Sequence, residues 1–187
     1  MRIIAGQYKG RKLTRIKGMK IRPTSDRIRE SLFSILSQKI DNALVLDLFA
    51  GTGALGLEAL SRGAAKSFFI DKSKESIKII NKNIELLNIK DRTEVLLHDA
   101  SHIGFPTAFF KNRFDLIFMD PPYNKDLIAN ILGNVDLLNI MGDDSIIIAE
   151  HSIHENDFGK ISDFDLFDKR SYGETLISFF KKKQVVS

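Results

Sequence analysis

From Ala43 onward the chain alternates short, uniformly apolar runs with longer stretches whose apolar residues recur every three or four positions. Runs at 43–47 (ALVLD), 66–71 (KSFFID), 93–98 (TEVLLH), 114–120 (FDLIFMD) and 145–151 (SIIIAEH) read as strands buried on both faces. Between them, 54–63, 73–88 and 125–138 carry the helical period. Strand and helix taking turns predicts an α/β fold with a largely parallel sheet. Residues 160–183 break the rhythm, because two β-like runs meet near Tyr172-Gly173 and predict an antiparallel hairpin that closes the sheet.

The first forty residues follow another pattern. RIIAG and RKLTRI read as two short strands around Tyr8-Lys9-Gly10, and Pro23 leads into a helix from about Ser25 with Ile28, Leu32, Ile35 and Leu36 on one face. Charge separates this segment further. The net charge of +4 hides eleven Lys and Arg against two acids in residues 1–39, a balance of +9, and seventeen against twenty-two in the remainder, a balance of −5. Such asymmetry is what a phosphate-gripping arm on an ordinary enzyme domain would produce. The expected division is therefore a basic, phosphate-binding extension over 1–39 and an enzyme domain over 40–187.

Composition narrows the chemistry. With 187 residues and 43% hydrophobic content, one filled core is expected. The absence of cysteine excludes disulfides, thiolate zinc sites and a cysteine nucleophile. His98 and His102 lie four apart and His151 and His154 three apart, but all read as surface or strand-end residues, and no metal is expected. No apolar stretch approaches the ~20 residues that span a bilayer, and MRIIAGQYKG lacks the apolar core of a signal peptide, so a soluble cytoplasmic protein is expected.

Four aspartates fall at or just after strand ends: Asp47, Asp71, Asp99 and Asp120. In an open parallel sheet the carboxyl ends of the strands form the ligand edge. After the first strand, Asp47-Leu48-Phe49-Ala50-Gly51-Thr52-Gly53-Ala54-Leu55-Gly56 ends in G-x-G-x-x-G, whose glycines let the backbone turn sharply against a ligand at a helix N-terminus. Asp71 is placed to accept from a ribose diol. Taken alone this is also a dinucleotide fingerprint, which leaves a dehydrogenase open.

Asp120-Pro121-Pro122-Tyr123 points elsewhere. Two prolines stiffen the turn and remove two donors, leaving the Asp120 carboxylate and the Pro121 carbonyl as fixed acceptors. An exocyclic amine on a base is a poor nucleophile because its lone pair is delocalised into the ring. Two acceptors can hold both of its N–H groups and aim the lone pair at an electrophilic methyl, while Tyr123 stacks on the base. Hydride transfer has no use for this arrangement.

The blocks MRIIAGQYKGRKL (1–13), RPTSDRIRESLFSIL (22–36), VLDLFAGTGALGLEALSRGA (45–64), FDLIFMDPPY (114–123) and YGETLISFF (172–180) together resemble the RsmD family of bacterial methyltransferases. The resemblance implies a Rossmann-like class I fold, an α/β seven-stranded mostly parallel sheet with an antiparallel C-terminal hairpin. It implies S-adenosylmethionine as cofactor and methylation of the N2 amino group of one guanine in 16S ribosomal RNA, guanine 966 in the usual bacterial numbering. Residue by residue, it implies that Phe49, Ala50, Gly51, Thr52 and Gly53 surround the methionine part of the cofactor, with Asp47 also among the cofactor-binding residues. Asp71 would take the ribose hydroxyls, and Asp99 with the Ala100 amide the adenine edge. Asp120, Pro121, Pro122 and Tyr123 would hold the guanine. Arg2, Lys9, Arg11, Lys12, Arg22, Thr24, Arg27 and Arg29 would contact RNA. The partner implied is 16S rRNA, within a small ribosomal subunit or its assembly intermediate, bound by a monomer. One departure concerns Ser73, where many relatives have a second acid, so that the diol contact rests on Asp71 alone. Rivals to this reading are a DNA or other RNA amino-methyltransferase acting on adenine N6 or cytosine N4, and a non-catalytic RNA-binding assembly factor.

Overall fold

The computed structural model describes residues 1–15, 26–100, 110, 113–122, 127–155, 158 and 161–184. They form two compact units, Met1–Asp99 and Ala100–Ser187. The described residues hold seven strands, three in the first unit and four in the second.

The first unit holds β1 (Leu44–Asp47), β2 (Lys66–Asp71) and β3 (Thr93–Leu97), paired parallel, with Asp47 opposite Phe69 and Asp71 opposite Leu97. Helix α2 (Ala54–Ser61) crosses from β1 to β2, and α3 (Lys74–Leu87) from β2 to β3. Helix α2 buries nearly its whole length, which explains the near absence of polar residues in ALGLEALS. Helix α3 is amphipathic, with Ile80, Ile84 and Leu87 in the core. Gly56 marks where α2 meets β2: a Cβ there would lie 2.4 Å from Cε1 of the buried Phe69 ring. Gly56→Ala is therefore expected to cost about 1–3 kcal/mol through overpacking, read as a lower midpoint in urea. An unchanged midpoint would show that the ring yields freely.

Helix α1 (Asp26–Leu36) corrects the expected face. Leu32, Phe33 and Leu36 are buried together with Arg29, whereas Ile35 is 39% exposed. The two N-terminal strands reduce to a single antiparallel bridge between Arg2 and Lys12, flanked by the hydrogen bonds Ile3 N–H to Arg11 O (3.0 Å) and Gly10 N–H to Ile3 O (2.9 Å). Pro23 lies outside the described residues.

The second unit holds β4 (Phe114–Met119) parallel to β5 (Met141–Ser152), then β7 (Thr175–Lys182) and β6 (Phe164–Tyr172), both antiparallel additions. The hairpin turns after Tyr172 through Gly173 at φ +66°, as the sequence predicts. Two elements differ from expectation. Strand β5 begins four residues earlier than SIIIAEH, and the single helix expected over 125–138 is two, α4 (Leu127–Leu132) and α5 (Val135–Asn139). Gly133 ends the first, and the Asn134 side chain caps the second by accepting from Asp136 N–H at 2.9 Å. His151 lies at the end of β5, one of the two places expected for it, but is buried rather than at the surface, its ring nitrogens 3.0 Å from Ser152 O and 2.9 Å from Ser178 Oγ. Burial pulls its pKa below the ordinary histidine value. Among the described residues no helix is long and apolar enough to cross a membrane.

Candidate functional site

In the first unit the glycine loop is held from β2. Ala50 N–H donates to Ile70 O at 2.9 Å, and Gly51 N–H to the Asp71 carboxylate at 2.8 Å. The other Asp71 oxygen accepts from Ser73 N–H at 2.8 Å. A carboxylate has about four acceptor positions, so these two bonds brace the loop while leaving capacity for a diol. Ser73, the departure from the family pattern, caps α3 by accepting from Ser76 N–H at 3.3 Å. Gly51 (φ +55°) and Gly53 (φ +79°) take the left-handed conformations that fold the loop onto the α2 N-terminus.

Asp47 lies beneath this loop, 1% exposed. One of its oxygens accepts from Gly56 N–H at 3.2 Å, and the other, Oδ1, is buried with no hydrogen-bond partner among the described residues. Its carboxyl is pushed up to about 7, chiefly by burial and secondarily by the Asp71 charge, with the bond from Gly56 N–H pulling the other way. A lone buried carboxylate oxygen under a left-handed glycine turn is the environment a cationic ligand would complete. The residues present therefore fit S-adenosylmethionine, with Asp47, Phe49–Gly53 and Asp71 as its candidate holders. Asp99 pairs with Lys72 at 3.3 Å, and Ala100 is buried at the start of the second unit.

In the second unit, Asp120 directly follows the end of β4 and is half-buried, Pro121 is buried and Pro122 is exposed. Tyr123 lies outside the described residues. Pro121 and Pro122 line a shallow depression with Ile128, Glu155 and Phe158. The Phe158 ring is fixed edge-on between His151 at 4.9 Å and Phe180 at 5.5 Å. Neither Glu155 nor Phe158 was legible as a site residue, since no local motif surrounds them and only the return of the chain past β5 brings them to the prolines.

Of the residues read as RNA contacts, Arg2, Lys9, Arg11 and Lys12 are exposed on the N-terminal hairpin and Arg27 is exposed on α1. Arg22 and Thr24 lie outside the described residues. Arg29 requires a correction: it is 2% exposed, and its guanidinium donates to Arg2 O at 2.8 Å and to Asp26 at 2.9 Å. It braces the hairpin from inside, and burial lowers its pKa against the raising effect of Glu58 and Asp26.

Sequence reasoning also missed how the hairpin is anchored. Glu58 on α2, fully buried, accepts from Ile4 N–H (2.7 Å), Ala5 N–H (3.0 Å) and Arg62 Nε (2.8 Å). Ser61 accepts from Tyr8 N–H through Oγ at 2.9 Å and from Gln7 N–H through its carbonyl at 2.7 Å. The available signal was a lone Glu in an otherwise apolar helix.

A family model described as Conserved hypothetical protein 95 matches residues 1–181. "Putative rRNA methyltransferase YlbH" of Bacillus subtilis is 34% identical over 183 residues, 98% of this chain and 100% of the relative. "Ribosomal RNA small subunit methyltransferase D" of Escherichia coli is 35% identical over 153 residues, 82% of this chain and 75% of the relative. Among solved structures, "Putative methyltransferase yhhF from Escherichia coli" superposes with a TM-score of 0.81 at 31% identity, covering 98% of both chains.

Proposed function

The chain belongs to the RsmD family of ribosomal RNA methyltransferases, and from that premise we propose that it methylates the exocyclic N2 of one guanine, guanine 966, in 16S rRNA. The observation that carries the reading is the acceptor pair closing β4, Asp120 followed by the buried Pro121. The Asp120 carboxylate and the Pro121 carbonyl each accept one N–H of the amine, and the prolines fix both, so that the lone pair is directed without any covalent step on the protein. Tyr123 stacks on the base. When bound, S-adenosylmethionine supplies an activated methyl group on a sulfonium. Asp47 and Phe49–Gly53 hold its methionine part, Asp71 its ribose, and Asp99 with Ala100 its adenine. The target must leave any stack, so a loop or bulge of the RNA is the expected setting. Residues 1–39 supply the RNA grip and 40–187 the catalytic domain. The names of the relatives support an RNA substrate over duplex DNA.

The test is transfer of labelled methyl to 16S rRNA from a strain lacking this gene, to small subunits from that strain, and to duplex DNA. Label at a guanine N2 of 16S rRNA is the expected result. Label on adenine N6, on cytosine N4 or on DNA would overturn the assignment, and no turnover on any ribosomal substrate would favour a binding factor.

Asp47 makes cofactor binding pH-dependent. In the free protein its raised pKa means that its contribution to stability is fully present below 3.8 and is lost as pH rises through about 7. A cationic ligand favours the ionised carboxylate, so binding below pH 7 expels a proton. Affinity for S-adenosylmethionine is expected to rise by up to about ten-fold per pH unit toward 7 and to level off above it. Calorimetry from pH 5.5 to 8.5 reads this directly, with Asp47→Asn giving weaker and flatter binding. The same slope in the variant would assign the proton to another group.

A further inference from the structure

Asn83 sits in the middle of α3 with no exposed surface, an unusual place for an amide. Its bonds explain the position. Oδ1 accepts from Thr14 N–H at 2.7 Å, and Nδ2 donates both to Thr14 O at 3.3 Å and to Thr52 O at 3.0 Å. Thr14 belongs to the basic N-terminal segment, and Thr52 is the central residue of the glycine loop. Both donor hydrogens of the amide are thus used, one toward each segment. A second tie runs in parallel, with Thr52 Oγ1 3.6 Å from Met1 Sδ.

A buried amide that satisfies two segments at once is satisfied only when both are in place. If the arm lifts, Asn83 loses two of its three bonds, and the loop carbonyl is left on a partner with new freedom. An ordered arm therefore favours an ordered loop, and the reverse holds with the same magnitude.

We propose that Asn83 is a positioning residue that couples RNA binding on the basic arm to cofactor binding at the glycine loop, so that each ligand tightens the other. This rests on the assignment of the loop to the cofactor and of the arm to RNA.

The experiment titrates S-adenosylhomocysteine into the full chain with and without saturating unmethylated 16S rRNA. In the unaltered protein RNA is expected to tighten binding by about five-fold or more. Asn83→Asp keeps the acceptor for Thr14 N–H and removes the donors, cutting the only bond to the loop and one of the two to the arm. Thr14→Pro removes the Thr14 N–H and leaves Asn83 on Thr52, weakening the arm side from a half-buried position. Both are expected to bring the ratio of affinities close to one while each ligand alone still binds. A purely structural role would lower thermal stability and leave the ratio where it was. Should Asn83→Asp not fold, Thr14→Pro and the ratio in the unaltered protein still decide. A ratio of one in the unaltered protein, with both ligands bound, overturns the coupling alone. Failure to bind either ligand removes the functional reading and the coupling with it.

Discussion

Replacing Asp120 with Ala is expected to cut methyl transfer at least about 100-fold in kcat while leaving the affinity for S-adenosylmethionine within about two-fold. On the proposed reading the target is the amine of guanine, whose lone pair is drawn into the ring, and the protein's task would be to hold that group rather than to change its protonation. With the carboxylate gone, the Pro121 carbonyl accepts one N–H and the second is free to turn away, so the productive orientation becomes one of several. Asp120 follows β4, whereas the loop and carboxylates assigned to the cofactor belong to the unit Met1–Asp99, which is why cofactor affinity is the discriminating control. Asp120→Asn keeps one acceptor oxygen and should retain part of the activity. Single-turnover rates with RNA in excess, beside calorimetric titration of the cofactor, give both numbers. Near-normal kcat in Asp120→Ala would remove the carboxylate from the mechanism, and parallel loss of cofactor binding would relocate it to the cofactor site.

Gly6→Ala is expected to weaken RNA binding on the order of 100-fold at low salt and to flatten its salt dependence. Gly6 has φ +82°, and a Cβ there would lie 1.9 Å from Ser61 O and 2.4 Å from its carbon. Those are backbone atoms of a buried helix end and cannot swing aside, so the hairpin must lift. Lifting breaks the bonds of Gln7 and Tyr8 to Ser61 and of Ile4 and Ala5 to Glu58, and with them the fixed spacing of Arg2, Lys9, Arg11 and Lys12. Once those four cations no longer meet phosphates, the slope of log affinity against log salt should fall by about 3 to 4. The triple change Lys9→Gln, Arg11→Gln, Lys12→Gln removes three of the four charges without disturbing the anchor and should lower the slope by about 2 to 3. An unaltered slope in Gly6→Ala would show that RNA is gripped elsewhere.

How much of this was legible beforehand depended on the range of the interaction concerned. Strand β2 was read to the residue, because KSFFID is a short apolar run bounded by polar positions. The glycine loop and Asp120-Pro121-Pro122 were readable because left-handed turns and rigid acceptors demand particular residues within a few positions. Local rules also failed locally: Gly133-Asn134 carries a stop and a cap inside what the period alone joins into one helix.

The sequence by itself determined the α/β order, the left-handed glycine turn, the rigid Asp-Pro-Pro turn after β4 and the uneven charge, since each is set by neighbours in the chain through period, φ or composition. Only the tertiary structure decided which polar groups are interior. Arg29 reads as one more cation of a basic arm until the fold covers it, and nothing beside Glu58 or Asn83 in the chain points to their partners 53, 54 and 69 positions away. The physical reason is that desolvation, and the hydrogen bonds that offset it, belong to whatever packs against a side chain, and such a partner leaves no mark on the adjacent residues.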